Sequence, residues 1–594
     1  MQIYAFPLLA CAAVYLSSQG VCGRYVNDPS GLEDTFVDIG NEPTGVHTVF
    51  KRSPLLEEID GPLSRNVRAV DETARSSLVY LRMRILLSIL RMLLGRSPQV
   101  EILQFNNWDK TINIDQLFYV RPKTIWEVQK VILAARRLGM RVRATGAGHS
   151  RSPMYVDEGN IMMDTRDLQR HDGPRMEMRN KTAERDYMTL TAVPGVYEVE
   201  MNEFMTQNKV AILAQPLNDQ ETFGGMVAVG THGSTWDGEN FSGNVVEMRV
   251  MDSNGRLRRF TKERHPSIMK AAMCSLGMFG IMYDITIKVV PTFIAKAENH
   301  FVLMKDLIGN QTALRETITE NFLTEISWFP FNNLTPEEEQ YYNTTGKAPS
   351  SWSAANDYLW LRHINKATDE EVKGQEILPP VYLPTNGSLS GGSGKGLLKA
   401  KSSLDIARAL NKKSYHYLVN AFPVIFPPRW GTETSAAFLL NIDNAFSTPY
   451  RALNFMVNRT EQQIKEKAST PLNALLPRFF KNSNCNLCYS NQEITRPDDS
   501  GRSLVIDFLA PPAQEGFYPA AADFVNHFKD EKVRPHWGKR HDNIVGIVDI
   551  IHKAYGPLIP QFQEQRQLAG IDPCDMFMNS YLLNIFGRSK SCIY

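Results

Sequence analysis

The sequence predicts an α+β fold built in two parts. Helical and strand periodicities interleave between Thr124 and Pro291. Two glycine-rich turns, Arg143-Ala-Thr-Gly-Ala-Gly-His-Ser150 and Gly224-Gly-Met-Val-Ala-Val-Gly-Thr-His-Gly-Ser234, each follow an apolar or β-prone run. A chain of 594 residues is long enough for two domains with large cores.

The elements follow in chain order. Residues 1–23 read as a signal peptide: Ile3 to Leu16 are mostly apolar and small residues lie near Gly20 and Gly23, although no Lys or Arg precedes them. An uncleaved anchor is the alternative. The extension 24–106 holds Lys51-Arg52, a processing site or ordinary surface charge, and the apolar segment Leu78 to Leu94. That segment carries Arg82, Arg84 and Arg91. A central Arg costs about 2.5–3.5 kcal/mol on insertion, which disfavours a membrane span. Arg84, Ser88 and Arg91 form a narrow polar stripe, so residues 78–94 suit either peripheral association with a membrane or packing on the chain itself.

Thr124-Ile-Trp-Glu127 is a capping box. Ile125, Val128, Val131, Ile132 and Ala135 then recur at helical spacing, and Gly139 stands where the helix would end. Arg141 to Thr145, Ile161 to Asp164 and Tyr187 to Val193 read as strands, and Val196 to Asn208 as a helix. Val245 to Met251 and Arg256 to Phe260 flank Ser-Asn-Gly255, a hairpin signal. Gly280 to Val290 reads as a strand closed by Pro291. Beyond it, Phe301 to Leu303 and Glu325 to Phe329 look like strands of the second part. Thr385 to Gly396 reads as a flexible surface loop inside an insertion near 346–430.

Composition narrows the function. The 65 basic and 64 acidic residues give no electrostatic case for a nucleic-acid partner. Sequons at Asn180, Asn240, Asn310, Asn333, Asn343, Asn386 and Asn458 agree mildly with a glycoprotein in the secretory pathway. Asn240 lies close to the second glycine turn. Cys485-Asn-Leu-Cys488 lacks the second ligand pair a zinc site needs, so a structural disulfide is the favoured reading, with its pairing open among Cys274, Cys574 and Cys592 as well. No metal site is expected.

The glycine turns carry the chemistry. Lacking Cβ atoms, they let backbone N–H groups approach a large anionic ligand. Arg151 stands where a G-x-G-x-x-G fingerprint needs its third glycine, and no Gly-Lys-Ser/Thr follows either turn. Two separated loops holding one cofactor fit better than a single nucleotide loop.

The stretch from Arg121-Pro-Lys-Thr124 to Val290-Pro291 resembles the flavin domain of the vanillyl-alcohol oxidase superfamily, in its aldonolactone oxidase branch. Gly146-Ala-Gly-His-Ser150, Gly224 to Gly233, Leu276-Gly-Met-Phe-Gly280, Pro535-His-Trp-Gly-Lys539 and Asp572-Pro-Cys-Asp-Met-Phe-Met-Asn579 carry the resemblance, in the family's order. It implies a two-part FAD-binding domain of the PCMH type over 107–292 and a substrate-covering α+β domain over 293–594. The implied FAD contacts are Thr145, Gly146, Ala147, Gly148, His149, Ser150 and Arg151 from the first loop. Gly224, Gly225, Gly230, Thr231, His232, Gly233 and Ser234 come from the second, with Gly280 and Ile281 beyond it. His149 matches the residue that carries the flavin covalently in the family.

The implied activity is oxidation of a sugar lactone, an aldono-1,4-lactone such as L-gulono-1,4-lactone, with molecular oxygen as acceptor and an ascorbate-type product. A family lysine that serves as the catalytic cation falls on Lys539. His536 is a weaker candidate, better suited to a buried hydrogen bond, and Arg540 and His541 are expected to be solvated. Pro216 falls at the position that gates oxygen. One departure stands out: the family's Glu-x-Arg pair is best matched by Glu493-Ile-Thr495, with Arg496 shifted, and Glu493 equally suits a charged surface turn. A flavin-fold binding protein without turnover and a related polyol or carbohydrate oxidase are the alternatives.

Overall fold

The computed structural model describes residues 35–40, 67–69, 78–182, 185–216, 220–382, 404–405, 407–424, 433–496 and 498–588. The expected signal peptide, Lys51-Arg52 and the Thr385 to Gly396 loop lie outside them. Helix and sheet are mixed, as an α+β reading requires.

A five-stranded sheet runs in the order Val67–Ala69, Val100–Asn106, Asn113–Val120, Ile161–Asp164, Val142–Thr145. Its last two pairings are parallel. The helix Ile125–Arg137 makes the crossover that parallel strands need. Thr124 Oγ1 accepts the Glu127 N–H at 3.2 Å. The Glu127 carboxylate reaches back one residue further than a capping box predicts, to the Lys123 N–H. Ile125, Val128, Val131, Ile132 and Ala135 are all buried.

The helix Leu78–Leu94 packs on Ile125–Arg137 through buried Met83, Leu87, Leu90 and Leu94. Its other side exposes Leu81, Ile85 and Met92. Among the described residues no helix is long and apolar enough to cross a membrane.

An antiparallel sheet follows, ordered Phe36–Val37, Leu257–Thr261, Val245–Met251, Ile281–Pro291, Met188–Ala192, Met176–Arg179. The Ser-Asn-Gly hairpin closes because Asp252 Oδ1 accepts the N–H groups of Asn254 and Arg256, each at 2.9 Å, with Gly255 at φ 74°. Pro291 is the last residue of its strand, as expected. It pairs with Val210 at the strand's last position, where a missing N–H costs little.

The third sheet has eight antiparallel strands, ordered Lys413–Tyr417, Ile294–Leu303, Tyr358–Lys366, Leu323–Trp328, Ala474–Lys481, Asp499–Ala510, Thr434–Asp443, Arg534–Pro535. The chain then returns to the first sheet. Val142 N–H donates to Met576 O at 2.9 Å, buried Arg143 Nη1 to Phe577 O at 2.8 Å, and Asn579 Nδ2 to Pro153 O at 2.7 Å.

Candidate active site

A cavity opens where the three sheets meet, enclosing about 1870 Å³ with its solvent-open mouth included. The strand Val142–Thr145 delivers the first glycine turn to its wall. A Cβ on Gly146 would stand 1.9 Å from Thr222 Oγ1, so the two turns close on each other only because Gly146 has none. Gly148 takes φ 74°, which favours glycine. The N–H groups of Gly146, Ala147, Gly148 and Ser150 donate to no acceptor among the described residues. Consecutive N–H groups left pointing outward form an anion-binding nest.

Thr145 to Arg151, Gly224, Gly225, Thr231, His232 and Gly280 line the cavity as the sequence suggests. The remaining expected contacts stand behind the wall. Gly230 ends the helix Phe223–Val229 in a left-handed turn, packed against Tyr489. Gly233 is needed because a Cβ would come 2.6 Å from Gln215 O. Ser234 Oγ donates to Thr324 O at 2.6 Å, and Ile281 is buried at the head of its strand. Asn240 is fully buried, donating to Ser490 Oγ at 3.1 Å, which leaves no room for a glycan in the folded protein.

His149 stacks on Trp108 with ring centroids 5.3 Å apart. Burial, reinforced by Arg151 and Lys539, pushes its pKa down to about 3, so the imidazole is neutral at pH 7. Burial holds His232 at about 3 as well.

The Pro535 to Lys539 turn faces this loop. Pro535 pairs with Phe438, and His536 N–H donates to Ala437 O at 2.9 Å. Buried His536 accepts the Gly538 N–H on Nδ1 at 3.0 Å, so this histidine braces the turn while also lining the cavity. Arg151 N–H donates to Gly538 O at 2.8 Å and ties the turn to the first glycine loop. Trp537 is fully buried, its Nε1 on Leu487 O at 2.6 Å. Leu487 lies inside the loop closed by the Cys485–Cys488 disulfide. Among the described residues no group of ligands could hold a metal.

Lys539 reaches the cavity with Nζ 3.7 Å from Asp507 Oδ2. Burial lowers its pKa and the Asp507 charge opposes that. Arg540 and His541 are not solvated. Arg540 Nη1 donates to Arg151 O at 3.2 Å, and His541 is buried against Tyr581.

Glu493 is not part of the cavity. It is exposed and paired with Lys270 at 2.9 Å, because the turn that carries it faces outward. The arginine that the third sheet gives the cavity is Arg478, on the same face of Ala474–Lys481 as Leu476. That strand gives the cavity Leu476 and Arg478, and no carboxylate two residues before the arginine. Arg478, Asp507, Glu221 and Glu433 are cavity residues that the sequence reading missed. Burial raises the Glu433 pKa to about 7 and raises that of Glu221. Pro216 lines the cavity.

Residues 117–261 match an FAD binding domain. The chain is 26% identical over 228 residues to a D-arabinono-1,4-lactone oxidase of Saccharomyces cerevisiae, covering 38% of this chain and 41% of that one. It is 24% identical over 258 residues to an L-gulonolactone oxidase of Mus musculus, covering 43% and 54%. The chain thus spans less than two thirds of either relative's length. A cholesterol oxidase from B. sterolicum shares the fold, with a TM-score of 0.67 at 14% identity over 83% of this chain and 98% of that one. The N–H groups of the first loop that no described acceptor takes up fit the pyrophosphate of such a cofactor. The chain carries an FAD-binding domain over residues 117–261, set in the fold the cholesterol oxidase shares, and FAD is its cofactor.

Proposed function

We propose that the protein is an FAD-dependent oxidase of a sugar lactone, an aldono-1,4-lactone such as L-gulono-1,4-lactone. The observation that carries this reading is the junction of Lys539 with the first glycine loop, through the Arg151 N–H on Gly538 O at 2.8 Å. That junction sets a cation beside the place where a flavin would lie. When bound, the flavin accepts a hydride from the substrate at N5 and passes the electrons to O2, giving hydrogen peroxide.

The chain's own residues do the rest. Lys539 holds the reacting carbinol oxygen and offsets negative charge near the cofactor. Neutral His149 carries the FAD covalently through an 8α-histidyl bond, its imidazole kept nucleophilic by burial. Pro216 shapes the oxygen path at the cavity wall. Residues 1–23 direct the chain into the secretory pathway. Exposed Leu81, Ile85 and Met92, flanked by Arg82 and Arg84, are the surface through which residues 78–94 would rest on a membrane.

The departure from the Glu-x-Arg pattern, with Glu493 outside the cavity, favours a second reading, a flavin-fold binding protein that has lost turnover. Anaerobic mixing with a panel of aldonolactones and alditols separates the two. Bleaching of the yellow protein, followed by peroxide release in air, supports the oxidase. A protein that stays yellow with every lactone and alditol sinks it.

A further inference from the structure

Three carboxyl groups line the cavity: Glu221, Glu433 and Asp507. Neither Glu221 nor Glu433 has a cation within ion-pair distance among the described residues, and burial raises the pKa of both. Asp507 differs. It sits in the strand Asp499–Ala510, directly opposite Leu476 on one side and Ala437 on the other. In antiparallel pairing, residues directly opposite each other share a face. Asp507, Leu476 and Arg478 therefore stand together on the cavity floor. Asp507 Oδ2 lies 3.7 Å from Lys539 Nζ, and Oδ1 has no hydrogen-bond partner among the described residues. Arg478 Nη1 is likewise without one. An ionised carboxylate paired with a single cation keeps spare acceptor capacity.

We infer that Asp507 is the proton acceptor of this site. Its carboxylate takes the substrate's carbinol proton, in a sheet position directly opposite Leu476 and on the same floor as Arg478. The inference rests on the oxidase reading above. The step balances simply. The O–H bond breaks and its proton moves to Asp507 Oδ1, the oxygen without a partner among the described residues. The C–H bond breaks and its electron pair leaves with the hydrogen to the oxidised flavin. The C–O single bond becomes C=O, so the substrate loses two electrons and the flavin gains them. Lys539 lies beside the other oxygen, Oδ2, stabilising the carboxylate before transfer and the alkoxide character that develops during it. The substrate would then be an alcohol whose oxygen reaches both Lys539 and Asp507, with Leu476 against its carbon skeleton.

The test is anaerobic stopped-flow reduction of the holoenzyme, wild type against Asp507→Asn, across the pH range, with the best lactone of the panel. Asn keeps the volume and removes the base. The groups facing Asp507 are Lys539 and His536 from the turn, Arg478 from the adjacent strand, and Glu433, Glu221 and Arg151 across the cavity. The acid limb is therefore assigned by its loss in the variant and not by its midpoint.

The expected result is a reduction rate lowered on the order of 10²-fold or more, the scale of general-base catalysis. The acid limb of the pH profile should vanish and the flavin content should stay unchanged. A deoxy-lactone lacking the reacting hydroxyl, titrated against the flavin absorbance, should bind wild type and variant within about threefold, since only the base is lost. Asp507→Glu, which restores the base, should recover part of the rate. Wild-type reduction rates and an unchanged pH profile in Asp507→Asn overturn the inference while leaving the oxidase reading intact. So does a variant whose whole loss appears as weakened deoxy-lactone binding. A wild type that no lactone reduces overturns the reading beneath it.

Discussion

The indole N–H of Trp537 is held by the carbonyl of Leu487 at 2.6 Å, and Leu487 sits inside the two-residue span of the Cys485–Cys488 disulfide. Tyr555 OH reaches the same carbonyl at 3.3 Å, and Tyr489 lays its ring against His536 at 4.7 Å. The disulfide loop is thus a clasp on the turn that presents Lys539. Trp537→Phe keeps the ring in its buried slot and removes the donor. It should lower stability by about 1–3 kcal/mol, the cost of a buried acceptor losing a partner, as read by chemical denaturation. A variant as stable as wild type, with unchanged flavin reduction, would show that the clasp does not position the turn.

His149 leads to a prediction about colour. Precipitation of the wild type in acid should leave the yellow flavin with the protein. His149→Ala should release all of it to the supernatant while keeping FAD bound before precipitation, because the outward N–H groups of the loop remain. Free flavin from the acid-treated wild type would refute the covalent link.

Lys539→Met retains most of the packing of the side chain and removes its charge. Flavin content should hold, and the rate of flavin reduction by substrate should drop on the order of 10²-fold or more, the scale of a lost preorganised electrostatic group. Unaltered reduction kinetics would place Lys539 outside the reaction.

Glu433 predicts a pH dependence of stability. Burial lifts its carboxyl pKa from 4.5 to about 7 in the folded chain. A carboxyl whose folded pKa is raised binds its proton more tightly when folded, so its contribution is full below the unfolded value and is lost as pH rises through about 7. Glu433→Gln removes that loss. The variant should be more stable than wild type at pH 8, on the order of 1–3 kcal/mol, with the gap closing below pH 5. Parallel unfolding curves from pH 5 to 8 would contradict it.

Arg143 donates to Met154 O, Leu276 O and Phe577 O, three carbonyls from distant parts of the chain. Arg143→Met fills the space and strands those acceptors. It should destabilise the protein by about 3 kcal/mol or more, measured by thermal or denaturant unfolding.

Much of the first two sheets was legible. The helix Ile125–Arg137 announces itself by its cap and by five apolar residues on one face, both of which are local signals. The glycine loops were legible because their glycines are required one at a time, by contacts such as Gly146 with Thr222. The third sheet was harder to read. Pro477 argues against a strand in Ala474–Lys481, yet that strand's pairing with Leu323–Trp328 stops at Leu475, so Pro477 has a ladder neighbour on one side only. Arg478 and Asp507 therefore stayed hidden: neither lies in a motif, and only the register of their two strands sets them on one floor. Glu493 misled because spacing near an arginine carries no information about which way a turn faces.

The return of residues 572–580 to the first sheet has a consequence for biosynthesis. Val142, Arg143, Pro153 and Asp157 all take hydrogen bonds from or to that segment, which follows the whole covering sheet in the chain. As a ribosome delivers the polypeptide vectorially, the first glycine loop emerges early but gains its last supports only after the covering sheet has been made. Insertion of the nucleotide is then expected to follow translation of nearly the whole described chain. A nascent chain stalled before Asp572 should neither retain nor link a flavin, however long it waits.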